Sequence, residues 1–130
     1  MSNPSKAKGT RAETKVVRYL EYCGWRAKRK ALTGSNDEGD IECLPPNGRK
    51  WLTLEVKAGK QTANPNRTQL SEWLRQADIE AKNAGCDKSY LVVLRYRRQL
   101  IDADVYLQYE DKRGCLIRRH MYLDEFAQNY

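Results

Sequence analysis

The chain has 130 residues, which is enough for one modest hydrophobic core and too few for two ordinary domains. Hydrophobic residues make up 40% and charged residues 32% of the chain, a composition typical of a folded domain and not of a disordered one. No apolar run approaches the roughly 20 residues that cross a membrane, and the polar N-terminus lacks the apolar stretch of a signal peptide. We therefore expect a cytoplasmic protein with no membrane partner.

Positive charge is concentrated near the N-terminus. The formal net charge is +7, and residues 1–30 contain nine lysines and arginines against two glutamates. This concentration favours a surface that binds a polyanion such as nucleic acid, although a soluble surface rich in lysine would give the same count. The four cysteines form no CxxC pair and His120 is the one histidine, so a structural zinc site is not expected.

The first predicted element is a helix over residues 11–23, preceded by a flexible basic arm over residues 1–9. Thr10 and Glu13 have the spacing of a capping box, which starts a helix. The following apolar residues recur at helical spacing until a glycine predicts the stop: Val16, Val17, Leu20 and Cys23, then Gly24. Residues 10–130 are expected to form a single domain.

Three strands are predicted next, over residues 25–31, 40–44 and 51–57. A loop over residues 32–38 follows the first of them. Asn47-Gly48, between the second and third strands, predicts a two-residue hairpin turn because both residues tolerate positive φ.

The hairpin predicts a register. With Asn47-Gly48 as the turn, Asp40 faces Glu55 across the two strands. The opposite face then carries an unbroken apolar set, which a slip of one residue would destroy: Ile41, Cys43, Leu52, Leu54 and Val56. Pro45-Pro46 is the one feature that would widen this turn.

A second helix is predicted to start at Asn64-Pro65 and to end at Gly85. The continuous apolar run over residues 90–94 is typical of a strand that is buried on both faces and pairs in parallel after a crossover helix.

The last third of the chain predicts a second hairpin, from residues 105–109 and 115–119, and a short helix from Leu123. The predicted order is helix, three strands, helix, strand and a β-rich C-terminal tail. That order indicates an α/β fold, with a mixed sheet flanked by helices.

Two opposed carboxylates, Asp40 and Glu55, repel each other, so something must offset that cost. A divalent cation bound by both is the natural partner, since magnesium prefers oxygen ligands. Lys57 shares their face and could orient or deprotonate a water molecule there. Glu13 either serves only as a capping residue or points toward the sheet as a third carboxylate. The alternative for the strand residues is a solvated face with a salt bridge.

These residues resemble the PD-(D/E)XK nuclease superfamily, most of all the archaeal-type Holliday junction resolvases and related small phage or VRR-NUC-type nucleases. The similarity rests on a glutamate in the first helix, Gly39-Asp40-Ile41 on one strand and Leu54-Glu55-Val56-Lys57 on the next. It covers roughly residues 8–95 and implies a restriction-endonuclease-like fold. The C-terminal third, from Gln99 onward, has no clear counterpart.

The resemblance implies a magnesium-dependent DNA endonuclease, with Mn²⁺ as a substitute and no small-molecule cofactor. It implies catalytic roles for Glu13, Asp40, Glu55, Lys57 and Gln69, and metal ligation by Asp40, Glu55, the Val56 carbonyl and Glu13. The DNA contacts expected are Lys8, Arg11, Arg26, Lys28, Arg29 and Ser35.

A structure-selective junction resolvase is the leading hypothesis, with branched DNA as partner, a homodimer as assembly and a bacterial, archaeal or phage-infected cell as setting. A symmetric dimer supplies the paired nicks that a four-way junction needs. The alternatives are a related nuclease that acts on flaps, ends or mismatches, and a basic DNA-binding module without activity.

Overall fold

Six strands form one mixed sheet in the order β1-β2-β3-β4-β5-β6, with helices on both faces. The computed structural model describes residues 4–30 and 40–129, with side chains from residue 11. The helices are α1 (Pro4–Tyr22), α2 (Arg67–Asn83) and α3 (Leu123–Asn129). The strands are β1 (Arg26–Arg29), β2 (Ile41–Leu44), β3 (Leu52–Lys57), β4 (Ser89–Val93), β5 (Asp104–Glu110) and β6 (Leu116–Tyr122). The predicted loop over residues 32–38 lies outside the described residues.

Helix α1 begins at Pro4, so the prediction that it begins at Arg11 is wrong. Thr10 lies inside the helix and cannot serve as its N-cap, so the capping box does not form. The helix packs on the sheet through the apolar stripe Ala12, Val16 and Leu20, all buried. Residues 4–9 of the predicted basic arm are helical, and the flexibility of this arm stays a prediction.

The β2–β3 hairpin has the predicted register. Ile41 pairs with Leu54 and Cys43 with Leu52, and their side chains belong to the main hydrophobic core. The predicted two-residue turn is wrong, because the reversal runs from Pro45 to Gly48, whose N–H donates to the Pro45 carbonyl at 3.0 Å. A Cβ at Gly48 would lie 2.8 Å from the Pro45 ring, so this close turn requires glycine.

Helix α2 crosses from the end of β3 to the start of β4, which pairs in parallel with β3 as predicted. All five residues of β4 are buried, as the continuous apolar run indicated. The helix begins later than predicted. Asn66 is its N-cap and accepts a hydrogen bond from the Gln69 N–H at 2.8 Å, so Pro65 precedes the helix and is not part of its first turn.

Two apolar layers sandwich the sheet. Helices α1 and α3 cover the face that carries Leu54 and Val92, whereas α2 covers Leu91 and Val93 on the other face. The predicted hairpin and C-terminal helix are present as β5, β6 and α3. The four cysteines are free thiols. Within residues 4–30 and 40–129, we find no helix with the length and apolarity needed to cross a membrane.

Candidate active site

The two strands of the β2–β3 hairpin bring acidic and basic side chains to the sheet face that α2 covers. Leu54 and Val56 point into the main core, so the alternate residues Glu55 and Lys57 point toward α2. Asp40 immediately precedes β2, and its N–H donates to the Leu54 carbonyl at 3.0 Å. This bond extends the hairpin register by one residue and sets Asp40 beside Glu55.

The carboxylate of Asp40 lies in a partly buried, negatively charged setting. Burial and the nearby charge of Glu55 raise the pKa of Asp40 from 3.8 to about 7, and the charge of Glu13 adds to the increase. The N–H of Val56, which donates to Oδ2 at 2.8 Å, and the charge of Lys57 act in the opposite direction. The raised pKa means that ionised Asp40 lacks sufficient positive charge around it.

Glu55 is nearly inaccessible, with 5% of its side chain exposed. Its Oε1 lies 3.2 Å from the Lys57 ammonium, whereas its Oε2 is buried without a hydrogen-bond partner. Such an oxygen is costly to leave unpaired in a folded protein. A positive group at Oε2 would remove that cost.

These oxygens suit a divalent cation. Asp40 has a raised pKa and Glu55 has one oxygen without a partner, and carboxylate oxygens are the hard ligands that Mg²⁺ and Mn²⁺ take. Val56 could contribute only its backbone, because its side chain packs against the main core. Among the described residues, no three His, Cys, Asp or Glu side chains converge closely enough to form a complete metal site. Residues 4–30 and 40–129 therefore supply a pair of carboxylates and not a closed cage of ligands.

Glu13 adds to the raised pKa of Asp40, and its contact with Arg29 places this carboxylate beside strand β1. Its Oε2 accepts a hydrogen bond from Nε of Arg29 at 2.9 Å. Arg29, predicted as a DNA contact, is thus engaged in holding Glu13. Whether Glu13 reaches a metal stays a prediction.

Gln76 is a residue near the site that the sequence analysis missed. Its Oε1 accepts a hydrogen bond from the Lys57 ammonium at 3.2 Å. The predicted Gln69 lies on the same helix face two turns earlier, and in the part of the chain that the structure describes its side chain makes no hydrogen bond to Asp40, Glu55 or Lys57. The spacing of seven residues between the two glutamines was the available signal.

The predicted DNA contacts do not all surround the acidic residues. Arg11 is exposed on α1, whereas Arg26 and Lys28 lie over the ring of Trp51, at 5.5 and 5.7 Å from its centroid. Lys28 also pairs with Glu42 at 2.7 Å. The side chain of Lys8 and the whole of Ser35 lie outside the described residues.

A solved structure has a fold similar to that of this chain. No family model matches the chain, and no curated protein matches it. The solved structure of Hjc, a Holliday junction resolvase from the hyperthermophilic archaeon Archaeoglobus fulgidus, is similar over 92% of this chain and 99% of that chain, with 22% identity and a TM-score of 0.54. At this identity the similarity concerns the fold. The predicted class, a restriction-endonuclease-like mixed sheet flanked by helices, is confirmed.

Proposed function

We propose that this chain is a divalent-metal-dependent DNA endonuclease, and specifically a Holliday junction resolvase. The observation that carries the proposal is the geometry of Asp40, Glu55 and Lys57: a carboxylate with a pKa of about 7, a buried carboxylate with an unpartnered oxygen, and an ammonium 3.2 Å from the latter. A carboxyl group whose pKa is raised by burial and by a neighbouring carboxylate is favoured at catalytic sites. The fold shared with the Archaeoglobus fulgidus resolvase supports the same reading.

Each residue has a separate task in this proposal. A bound divalent cation would lower the pKa of a water molecule and stabilise the negative charge that builds up on the phosphate. Asp40 and Glu55 would hold that cation, and Glu13 would contact it or its hydration shell. Lys57 would orient the attacking water, with its ammonium held between Glu55 and Gln76.

Exposed basic residues would hold the DNA. Phosphate contacts position the duplex without reading sequence, which suits an enzyme that selects a DNA shape. In this proposal Arg11 contacts phosphates near the site, while Arg29 acts through Glu13. We also propose that the protein works in the cytoplasm as a symmetric homodimer, because a four-way junction requires two related cuts.

Cleavage of matched substrates tests the proposal. A four-way junction, a flap, a single strand and a linear duplex of shared sequence would be incubated with protein and Mg²⁺, with the Glu55→Gln variant as the inactive control. We expect paired, symmetric nicks in the junction and little cleavage of the duplex. Preferential cutting of flaps, ends or mismatches would reject the resolvase assignment and retain the nuclease. DNA binding without cleavage of any substrate would reject both.

The assembly is tested separately by sedimentation at micromolar concentration. We expect the mass of a dimer, and we expect the same mass when a proposed DNA contact such as Arg11 is substituted. A strict monomer that nicks one strand at a time would contradict the proposal that two active sites act on one junction.

A further inference from the structure

A basic cleft lies at the opposite end of the sheet from the acidic residues. One wall is the β2–β3 loop, with Arg49 and Lys50, and the other is the turn between α2 and β4, with Lys88. The space between them is about 790 Å³, within the range of sites that hold small ligands or segments of larger ones. We refer to this space, lined by residues 45, 47–52 and 84–88, as the Trp51 cleft.

Trp51 is the aromatic residue of this cleft and is 37% exposed, whereas Trp25 and Trp73 are buried. Arg26 and Lys28, on neighbouring β1, lie over its indole ring. An exposed tryptophan ringed by cations is the combination that nucleic-acid-binding surfaces use, because bases and sugars pack on the ring while phosphates contact the cations.

The charge balance of the cleft favours an anion. Five cationic side chains line it or lie over its tryptophan: Arg26, Lys28, Arg49, Lys50 and Lys88. Asp87 also lines the cleft, and Glu42 neutralises Lys28 at 2.7 Å. Arg49 and Lys50 are exposed, so they can meet a phosphate backbone without breaking a buried contact. Lys88 is also exposed, and its ammonium lies 5.4 Å from the centroid of the Tyr109 ring.

The distance from the acidic residues fits a flanking part of the same DNA. Trp51 immediately precedes β3, four residues before Glu55 and six before Lys57. At a rise of about 3.3 Å per residue, these separations are about 13–20 Å. DNA rises about 3.4 Å per nucleotide along each strand, so the cleft lies roughly four to six base pairs from the cut.

We propose that the Trp51 cleft binds one strand of the DNA arm that flanks the cleavage point, with phosphates on Arg49, Lys50 and Lys88 and a sugar or base against Trp51. The proposal rests on the proposed function for the position of the cut. The binding itself requires no cleavage. The cleft would thus set the minimum arm length of a good substrate.

The test compares the variant R49A/K50A with the matched control K15A/R18A, which removes two exposed cations from α1 on the other side of the sheet. Binding is measured by fluorescence anisotropy with two sets of DNA, one with arms longer than roughly six base pairs and one with arms shorter than roughly four. With long arms, R49A/K50A should bind about tenfold more weakly. The slope of log affinity against log salt should become shallower by about 0.9 for each of the two phosphate contacts that are lost. With short arms it should match the wild type.

A second measurement uses tryptophan emission. Long-arm DNA should quench the emission of the wild type, and the conservative variant W51F should abolish that quenching while Trp25 and Trp73 still report the fold. An equal loss of binding in K15A/R18A, a loss in R49A/K50A that does not depend on arm length, or quenching that persists in W51F would each overturn the proposal. If the protein binds DNA in this way but cuts none, the result would support DNA binding by the Trp51 cleft and reject only the proposed nuclease activity.

Discussion

The N–H of Val56 donates a hydrogen bond of 2.8 Å to Oδ2 of Asp40, so the residue between Glu55 and Lys57 holds the carboxylate of the neighbouring chain segment. The two candidate ligands therefore have a fixed relationship before any cation is present. Oδ2 of Asp40 accepts the hydrogen bond from the backbone, and Oδ1 can bind a ligand. This arrangement orders the site at the cost of placing two carboxylates side by side.

The first prediction concerns stability and pH. The pKa of Asp40 is raised from 3.8 to about 7, so the folded protein binds a proton more tightly than the unfolded chain. The corresponding stability is present below about pH 4 and is lost as pH rises through about 7. The variant Asp40→Asn mimics the protonated form and can still accept the bond from Val56.

In the absence of divalent cations, Asp40→Asn should therefore be more stable than the wild type at pH 8, by at most about 4 kcal/mol at about 1.4 kcal/mol per pKa unit. The difference should shrink toward pH 4. Denaturant melts with a chelator across this pH range provide the measurement. A variant that is less stable than the wild type at pH 8 would contradict the raised pKa. Mg²⁺ should stabilise the wild type and not the variant.

The second prediction concerns Glu55. Glu55→Gln should reduce cleavage by about 10²–10³-fold or more, the scale of losing a group that stabilises transition-state charge. DNA binding should be kept or strengthened, because a negative charge near the phosphates is removed. Glu42→Gln is the matched control, since Glu42 lies on the neighbouring strand and pairs with Lys28 and Lys30. Equal activity in the two variants would remove Glu55 from the active site.

The third prediction separates two glutamines on one helix face. Gln76→Ala should slow single-turnover cleavage by about 10- to 100-fold, because losing a hydrogen bond to a charged group costs roughly 1.5–3 kcal/mol. Gln69→Ala should change the rate less, since that side chain does not contact Lys57. Lys57→Ala should be slower than either variant, by about 10²–10⁴-fold. The reverse order of the two glutamine variants would restore Gln69 as the site residue.

The fourth prediction contrasts two arginines of β1. Arg29 holds Glu13 through a bond of 2.9 Å, whereas Arg26 lies over Trp51. Arg29→Ala should therefore lower the cleavage rate even when DNA is saturating, because Glu13 loses its position. Arg26→Ala should weaken DNA binding and leave the rate at saturation unchanged. Rate measurements at high DNA concentration decide this, and identical behaviour of the two variants would show that both only bind phosphate.

Local patterns in the sequence determined the class of fold. Alternation of apolar residues in Ile41, Cys43, Leu52 and Leu54 allowed one hairpin register, because a slip of one residue would expose the entire set. The run over residues 90–94 determined a buried central strand for the same reason. From that register alone, Asp40 and Glu55 could be expected side by side.

Tertiary packing decided how these side chains are used. The crossing of α2 over the sheet brings Gln76, and not Gln69, to the ammonium of Lys57. The approach of α1 to β1 engages Arg29 with Glu13, and the end of β1 lies over Trp51. The periodicity of apolar residues in the sequence predicts which face of a helix or strand a residue occupies. The partner on that face depends on the distance and angle between elements far apart in the chain, which only the packed core determines.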